Sequence, residues 1–135
     1  MKLPAVAAVF VLFAGAAPAT TYELDLSEIP AEFHGRWDLS ARSCAAVGGR
    51  TRLEASAAQL RFGADLFKVS GVSVLEDRYI GISSDYIGRG NLWRRADHFT
   101  LSSDGATLTA RRGGRTLIRR RCPGSRPRGV GSQAP

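Results

Sequence analysis

Two histidines and two cysteines are the side chains of this sequence with the widest chemical range. The histidines are His34 and His98, and no C-x-x-C or H-x-x-x-H spacing occurs in the chain. Because zinc sites are built from several Cys and His ligands at short spacing, we expect no metal site. Asp97 precedes His98. Neighbours on a strand point to opposite faces, so this pair is not expected to act as a catalytic base and its orienting carboxylate.

Sequence patterns for covalent, phosphate and glycosidic chemistry lead to the same expectation. No G-x-S-x-G motif is present, and the glycine-rich runs 88–90 and 113–115 do not open a helix, as a phosphate-binding loop requires. Glu76 and Asp77 are adjacent. They are therefore not expected to face each other across a substrate as paired glycosidase carboxylates do. We predict a non-enzymatic protein without a cofactor.

Residues 1–19 have the features of a secretory signal peptide. Lys2 gives a positive start, residues 3–17 are predominantly apolar, and Ala17 and Ala19 place small side chains before a cleavage site. The apolar run is shorter than the roughly 20 residues of a membrane-spanning helix, and no later segment is apolar enough to span. The residue directly after the cleavage site is Thr20, not the cysteine that a bacterial lipid anchor requires. We expect a periplasmic or secreted protein that is not lipid-anchored.

Export decides how the two cysteines are interpreted. Disulfides persist in oxidising compartments, and an even cysteine count in an exported chain predicts a bridge. Cys44 and Cys122 are separated by 78 residues. A bond that closes such a long loop should stabilise the fold by about 4–5 kcal/mol on the chain-entropy account.

Charge is distributed unevenly along the chain. Residues 20–85 carry 7 basic and 10 acidic side chains, whereas residues 86–135 carry 11 basic and 2 acidic ones. The basic half predicts an acidic partner: anionic lipid headgroups, a cell-wall polymer, nucleic acid or an acidic protein. Export argues against nucleic acid. The alternative is genomic composition, since Lys68 is the sole lysine after the signal peptide. The candidate partner-binding residues are Arg94, Arg95, Arg111, Arg112 and Arg115.

Strands are the elements that would position these residues. Apolar and polar residues alternate in short runs from Phe33 onwards, with the period of two that is typical of strands. Asp104-Gly105 and Gly113-Gly114 are two-residue hairpin signals. We predict an all-β fold, a small antiparallel up-and-down β-barrel of about eight strands with one disulfide. The predicted runs are 33–39, 51–55, 60–62, 66–70, 72–74, 79–82, 86–87, 92–95, 98–101, 107–110 and 116–119.

Four segments follow from this pattern. Residues 1–19 are the signal peptide, and residues 20–32 form an extended N-terminal segment. Residues 33–122 form the barrel domain, in which residues 40–47 favour a helical turn after the first strand. Residues 123–135 are rich in Gly, Pro, Ser and Arg, and we expect a disordered basic tail.

The first and last strands of a closed up-and-down barrel pair with each other. Trp37 on the first strand would then face an arginine on the last, and a guanidinium over an indole gains roughly 0.5–2 kcal/mol. Gly35 permits close backbone approach beside it. The predicted disulfide would staple the same seam. The candidate barrel-closing residues are Gly35, Trp37, Arg119, Arg120 and Arg121.

Gly35-x-Trp37 and a basic residue on the final strand resemble the lipocalin and calycin superfamily. The resemblance implies that Trp37 and one arginine among Arg119 to Arg121 close the base of the barrel. The order of signal peptide, G-x-W-D-L, cysteine and terminal Arg-Cys is also similar to that of small exported barrels of Gram-negative bacteria. In size and plan, the chain looks similar to small periplasmic inhibitors of proteases and lysozymes, which are eight-stranded barrels too.

Three functions follow as hypotheses. The first is an envelope binding protein that meets an acidic partner through its Arg-rich last hairpin. The second is a hydrolase inhibitor that inserts residues 20–31 into a cleft, although lysozyme, usually basic itself, would be repelled. The third is a carrier of a small apolar ligand in a cavity lined by Leu60, Phe62, Val69 and Val74. Residues 93–95 (Trp-Arg-Arg) are the one local match to a stacking platform for single-stranded nucleic acid.

Overall fold

The computed structural model describes residues 14–15, 24–88 and 93–125. The predicted signal peptide therefore lies outside the described residues, apart from Ala14 and Gly15. Residues 126–135 of the predicted tail also lie outside them, as does the start of the N-terminal segment, residues 20–23. Within the described ranges, no helix has the length and apolar character needed to cross a membrane.

The regular secondary structure of the described residues is almost all β-strand. A 3₁₀ turn at Ala31–Phe33 precedes the second strand, and one short helix, α1, covers Ala41–Ala45 where the sequence predicts a helical turn. The strands are β1 Leu24–Leu26, β2 Gly35–Asp38, β3 Leu53–Ala55, β4 Gln59–Phe62, β5 Asp65–Glu76, β6 Tyr79–Tyr86, β7 Arg94–Leu101, β8 Thr107–Arg112 and β9 Arg115–Arg121.

Strands β2 to β9 form a closed antiparallel barrel. Each strand pairs with the next along the chain, and β9 pairs with β2 through Trp37 opposite Arg121 and Asp38 opposite Arg120. The prediction of an up-and-down barrel of about eight strands is therefore confirmed. Closure removes the free edges that an open sheet would leave over most of its length.

Strand β1 lies outside this ring and completes one edge of β5. One edge of β5 pairs with β6 along most of its length. The other edge pairs first with β4, at Asp65 to Lys68, and then with β1, at Val72 to Val74. The N-terminal segment thus extends the wall where β4 is too short to cover its long neighbour.

Three pairs of predicted runs are single strands, which corrects the sequence interpretation. Runs 66–70 and 72–74 join in β5, which passes Gly71 with a register shift. Runs 79–82 and 86–87 join in β6, because Ser84 and Asp85 continue the alternation instead of forming a turn. The part of run 92–95 from Arg94 onwards joins run 98–101 in β7, where Asp97 is an inward-facing strand residue, and Leu92 lies outside the described residues.

Side chains that point into the barrel form one hydrophobic cluster. Trp37, Leu60, Phe67, Phe99 and Leu108 are among its most buried members. We call the end of the barrel where β2 begins and β9 finishes the closed end. We call the opposite end, where the turn Gly113–Gly114 joins β8 to β9, the open end.

A short helix and the disulfide clamp the outside of the closing seam. Ser40 and Ser43 form a reciprocal capping box at the start of α1. The Arg52 guanidinium donates to the carbonyl oxygens of Ser43 and Cys44 at its other end, at 2.8 and 3.0 Å. Cys44 and Cys122 are bonded, with sulfur atoms 2.04 Å apart. The predicted disulfide is therefore confirmed.

Candidate binding site at the open end

At the closed end, Arg121 stacks on an aromatic ring and donates hydrogen bonds to several backbone carbonyl oxygens. The Arg121 guanidinium carbon lies 4.1 Å from the centre of the Trp37 ring. Its nitrogens donate to the carbonyl oxygens of His34, Glu32 and Gly105 at 2.7, 2.8 and 3.0 Å. The stacked plane and the carbonyl acceptors fix this side chain in place.

Gly35 lies beside this stack in a conformation that favours glycine. Its φ angle is +129°, and a Cβ atom placed there would lie 2.2 Å from the Ser125 carbonyl oxygen. The chain after the disulfide therefore packs directly on the Gly35 backbone. This close approach gives the glycine of the G-x-W motif a steric reason.

The three arginines predicted to close the barrel lie in three different environments. Arg121 stacks on Trp37, and Arg120 is exposed on the outer surface. Arg119 points inward and is 6% exposed. Strand alternation explains the difference, because consecutive side chains point to opposite faces.

Arg119 reaches across the gap that opens where β2 ends. Its Nε donates to the Thr51 carbonyl oxygen at 2.8 Å. No carboxylate of the described residues lies within ion-pair distance of its guanidinium. Burial lowers the pKa of Arg119 below its ordinary value, and the more distant charges of Asp38 and Asp97 oppose that effect. In the part of the chain that the structure describes, this side chain is therefore a buried cation without a direct counter-charge.

A pocket of about 390 Å³ opens from the inner face of the β8–β9 hairpin, and Arg119 forms part of its wall. The pocket lies between that hairpin and the inner face of β7. Four of its eight lining residues are arginines, and Leu117 and Ala110 contribute apolar surface. The charged residues around it are Arg95, Arg112, Arg115, Arg119 and Asp97.

One of these four arginines is already neutralised. Arg95 donates to both carboxylate oxygens of Asp97, at 2.7 and 2.9 Å. Its guanidinium carbon also lies 3.6 Å above the centre of the Phe62 ring. The bidentate pairing with Asp97 and the stacking on Phe62 use the donors and the face of the Arg95 guanidinium. Arg112, Arg115 and Arg119 have no acidic partner among the described residues. The pocket is therefore strongly electropositive.

Aromatic rings line the barrel wall next to the pocket. Trp93 stacks on Tyr86, with ring centres 5.3 Å apart, and meets the edge of Phe67 at 5.1 Å. Arg112 lies 5.8 Å from the Trp93 ring centre. Trp93 is 40% exposed. Its indole therefore borders the open end and would sense a group bound there.

Ser84 places a hydroxyl without a hydrogen-bond partner on the inner face of β6. The residue is fully buried, and its Oγ is one of three buried side-chain atoms of the described residues without a hydrogen bond. Its cross-strand neighbour is Arg95. A buried hydroxyl without a partner is uncommon and costs roughly 1–3 kcal/mol.

The arginines predicted to bind an acidic partner do not share one face. Arg94 and Arg111 point outward, and Arg94 pairs with Asp85 at 3.0 Å. Arg95 and Arg112 point inward to the pocket, and Arg115 begins β9 at the hairpin turn. The sequence interpretation treated the run as one surface and missed Arg119 as a member of the pocket. Strict period-two alternation from Trp37 and Arg121 would have placed it there.

Asp38 lies near Arg119, at the point where β2 ends. Its carboxylate accepts hydrogen bonds from the Thr51 hydroxyl at 2.6 Å and the Leu39 amide at 2.8 Å, and Arg52 lies at 3.6 Å. Burial alone would raise the pKa of Asp38. The hydrogen bonds and the Arg52 charge outweigh burial and lower the pKa below its ordinary value.

The four residues predicted to line an apolar cavity belong to the packed interior. Leu60 and Val69 are buried in the hydrophobic cluster, and Phe62 and Val74 pack against it. They fill space between strands, in the way side chains fill small barrels.

The candidate inhibitory segment is part of the wall as far as it is described. Ile29 is buried, and its amide donates to the Ala57 carbonyl oxygen at 2.9 Å. Leu24 to Leu26 pair with β5. Residues 20–23 lie outside the described residues.

Both histidines have structural neighbours. His34 Nε2 lies 2.7 Å from the Ile29 carbonyl oxygen, and the His98 ring stacks on Tyr79 with centres 5.8 Å apart. No group of three His, Cys, Asp or Glu side chains in the described ranges is arranged to hold a metal ion.

No protein-family model, curated protein or solved structure matches this chain. The lipocalin resemblance therefore stays a prediction, based on the Gly35-x-Trp37 motif and a basic residue on the final strand.

Proposed function

We propose that this is a non-enzymatic binding protein that receives an anionic group of its partner at the open end of the barrel. The observation that carries the proposal is Arg119, a buried guanidinium on the pocket wall without an acidic partner among the described side chains. The proposal keeps the predicted acidic partner and the Arg-rich last hairpin, and it locates the contact on the inner face of that hairpin.

The energetics of Arg119 favour this role. Burying a cation costs several kcal/mol unless an opposite charge and hydrogen bonds compensate it. One hydrogen bond to Thr51 leaves the outer guanidinium nitrogens available to the pocket. A bound anion would supply the missing counter-charge, and its charge-assisted hydrogen bonds would be stronger in this partly desolvated site than at the surface.

The charge and volume of the pocket narrow the chemical class. Once Asp97 is assigned to Arg95, Arg112, Arg115 and Arg119 have no acidic partner within residues 24–88 and 93–125. Three cations match a group with two or more negative charges, such as a phosphate monoester or closely spaced carboxylates. About 390 Å³ is near the lower end of ligand pockets, so it suits an acidic group better than a whole lipid.

We propose that the protein does this work after export, in the periplasm or outside the cell. The disulfide is compatible with an oxidising compartment. The acidic group would belong to an envelope component or to a protein. The packing of Ile29 and Leu60 supports neither a free inhibitory segment nor an apolar carrier.

A pair of neighbouring variants tests the site. Arg119→Met removes the inward cation, and Arg120→Met removes an equal charge from the outer face of the same strand. We expect phenyl phosphate to bind the wild type and Arg120→Met alike. Arg119→Met should bind it roughly 10–100-fold more weakly, the effect of one lost charge-assisted hydrogen bond.

Calorimetry measures the affinity, and tryptophan fluorescence reports the location, because Trp93 borders the pocket while Trp37 is buried at the closed end. Affinity should fall from 50 to 500 mM salt. Equal loss in the two variants, or binding that is indifferent to salt, would rule out the proposed site.

A further inference from the structure

We infer that the open edge of β9 takes an extended acidic peptide segment as an added strand. This inference rests on the proposed function, since it names the kind of partner that carries the acidic group. The partner would be a protein with an extended acidic segment, and not a polymer or a lipid surface.

The edge exists because β2 is shorter than β9. Strand β9 pairs with β8 from Arg115 to Arg120, but with β2 only at Arg120 and Arg121. After Asp38 the chain leaves the wall to form α1. On the β2 side, the part of β9 between Arg115 and Arg119 therefore has no neighbouring strand among the described residues.

The backbone alternation shows which groups are free. The Arg121 amide donates toward β8, to the Ala106 carbonyl oxygen, and the Cys122 amide donates toward β2, to the Arg36 carbonyl oxygen. Because successive residues of a strand point their backbone groups to alternate sides, Thr116 and Ile118 direct theirs to the open edge. Their N–H and C=O groups have no backbone partner in the described part of the chain. Strand addition would pair all four groups.

Side-chain alternation along this edge defines the sequence that fits. Arg115 and Arg119 line the pocket on the inner face. Ile118 points outward and is 59% exposed. Directly paired residues of adjacent strands share a face. An added segment therefore needs acidic side chains inward at alternate positions and apolar or β-branched side chains outward.

Charge selects this occupant over a second copy of the chain. Two β9 edges brought together would place arginine against arginine, and like charges directly opposite each other destabilise a strand pair. Edge arginines are a common device against self-association. The same arginines attract an acidic segment, so their charge disfavours a second copy of the chain and favours an acidic partner.

The test uses the full chain and a blocked octapeptide of four Val-Glu repeats. One analogue carries N-methyl groups on the valines, whose backbone groups would pair with Thr116 and Ile118. A second carries them on the glutamates, whose backbone groups would face away from β9. The three peptides have the same charge and side chains. We expect the parent and the glutamate-methylated peptide to bind, and the valine-methylated peptide to bind at least tenfold more weakly.

A protein variant provides the reciprocal test. Ile118→Pro removes an amide hydrogen that points to solvent, a position where an edge strand tolerates proline. We expect it to lose peptide binding at least tenfold while phenyl phosphate binding is unchanged. Ile118→Val keeps the amide and is the control. If Ile118→Pro fails to fold by circular dichroism, the methylated peptides decide alone.

Failure of this inference is separable from failure of the proposed function. Equal binding of all three peptides would overturn strand addition, as would phenyl phosphate binding without peptide binding, and both leave the acidic-group site intact. If neither peptide nor phenyl phosphate binds, both proposals are overturned.

Discussion

Arg121 and Arg119 are two inward-facing arginines on one strand, and their surroundings differ completely. At the closed end, Arg121 has an indole beneath it and carbonyl oxygens around it. At the open end, Arg119 donates to one carbonyl oxygen of the described residues and borders a pocket. The comparison teaches that burial of a cation does not by itself reveal its purpose. The number of hydrogen-bond acceptors around the guanidinium distinguishes an arginine that stabilises the fold from one that is available to a ligand.

Removal of the disulfide, which stabilises the closed end, should have the largest effect on the free energy of unfolding. Replacing Cys44 and Cys122 together by alanine should lower the free energy of unfolding by about 4–5 kcal/mol, because the bond closes a 78-residue loop. Urea denaturation measures the change. Phenyl phosphate affinity of the folded double variant should equal that of the wild type, and a parallel loss of affinity would show that the two ends are not independent.

The two arginines themselves provide the next test. Arg121→Met should destabilise the protein by about 3 kcal/mol, because three carbonyl oxygens lose a charged donor and the Trp37 ring loses its stacked guanidinium. Arg119→Met should change stability by less than about 1 kcal/mol, since removing an uncompensated buried charge offsets the lost bond to Thr51.

Denaturant titration of both variants beside Arg120→Met as a surface control measures this contrast. Equal destabilisation by the two inward substitutions would mean that Arg119 stabilises the fold as Arg121 does. The proposed difference between a structural arginine at the closed end and a binding arginine at the open end would then be wrong.

Asp38, at the border between the two regions, gives a smaller and pH-dependent effect. Its folded-state pKa is lowered, so its contribution is present above the unfolded pKa of about 3.9 and is lost as the pH falls through the folded value. Asp38→Asn should cost about 1–2 kcal/mol at pH 7. The loss of stability between pH 5 and pH 2 should be shallower than in the wild type.

Thermal unfolding across that range checks the prediction for Asp38. An acid limb that is unchanged by the substitution would show that other carboxyl groups control acid stability.

The barrel was predictable because its closing features are local signals. Cys44 and Cys122, the Gly35–Trp37 spacing and the glycine turns are visible in one sequence, and alternation supplies the strands. Gly71 and the segment from Ser83 to Asp85 misled the interpretation, because small and polar residues are turn signals only until tertiary pairing places them inside a long strand.

The pocket was less predictable than the fold. A run of arginines has the same composition whichever way each side chain points, and only the register of β9 against β2 and β8 sorts Arg119 inward and Arg120 outward. Asp97 and His98 lie on opposite faces of the strand, as expected. The pairing of Asp97 with Arg95 could be foreseen only by recognising that both side chains point inward from the same strand. Charge totals could not provide that distinction.

Three consecutive arginines make the last strand locally self-similar. If the hairpin slid by two residues, a guanidinium would still meet the Trp37 ring, and the error would be nearly invisible to packing. The thiol that follows Arg121 is different: it reaches its partner at position 44 in one alignment alone. The disulfide therefore fixes the register of β9 within a repetitive segment. A reduced chain should sample hairpins in shifted register that the oxidised chain cannot form.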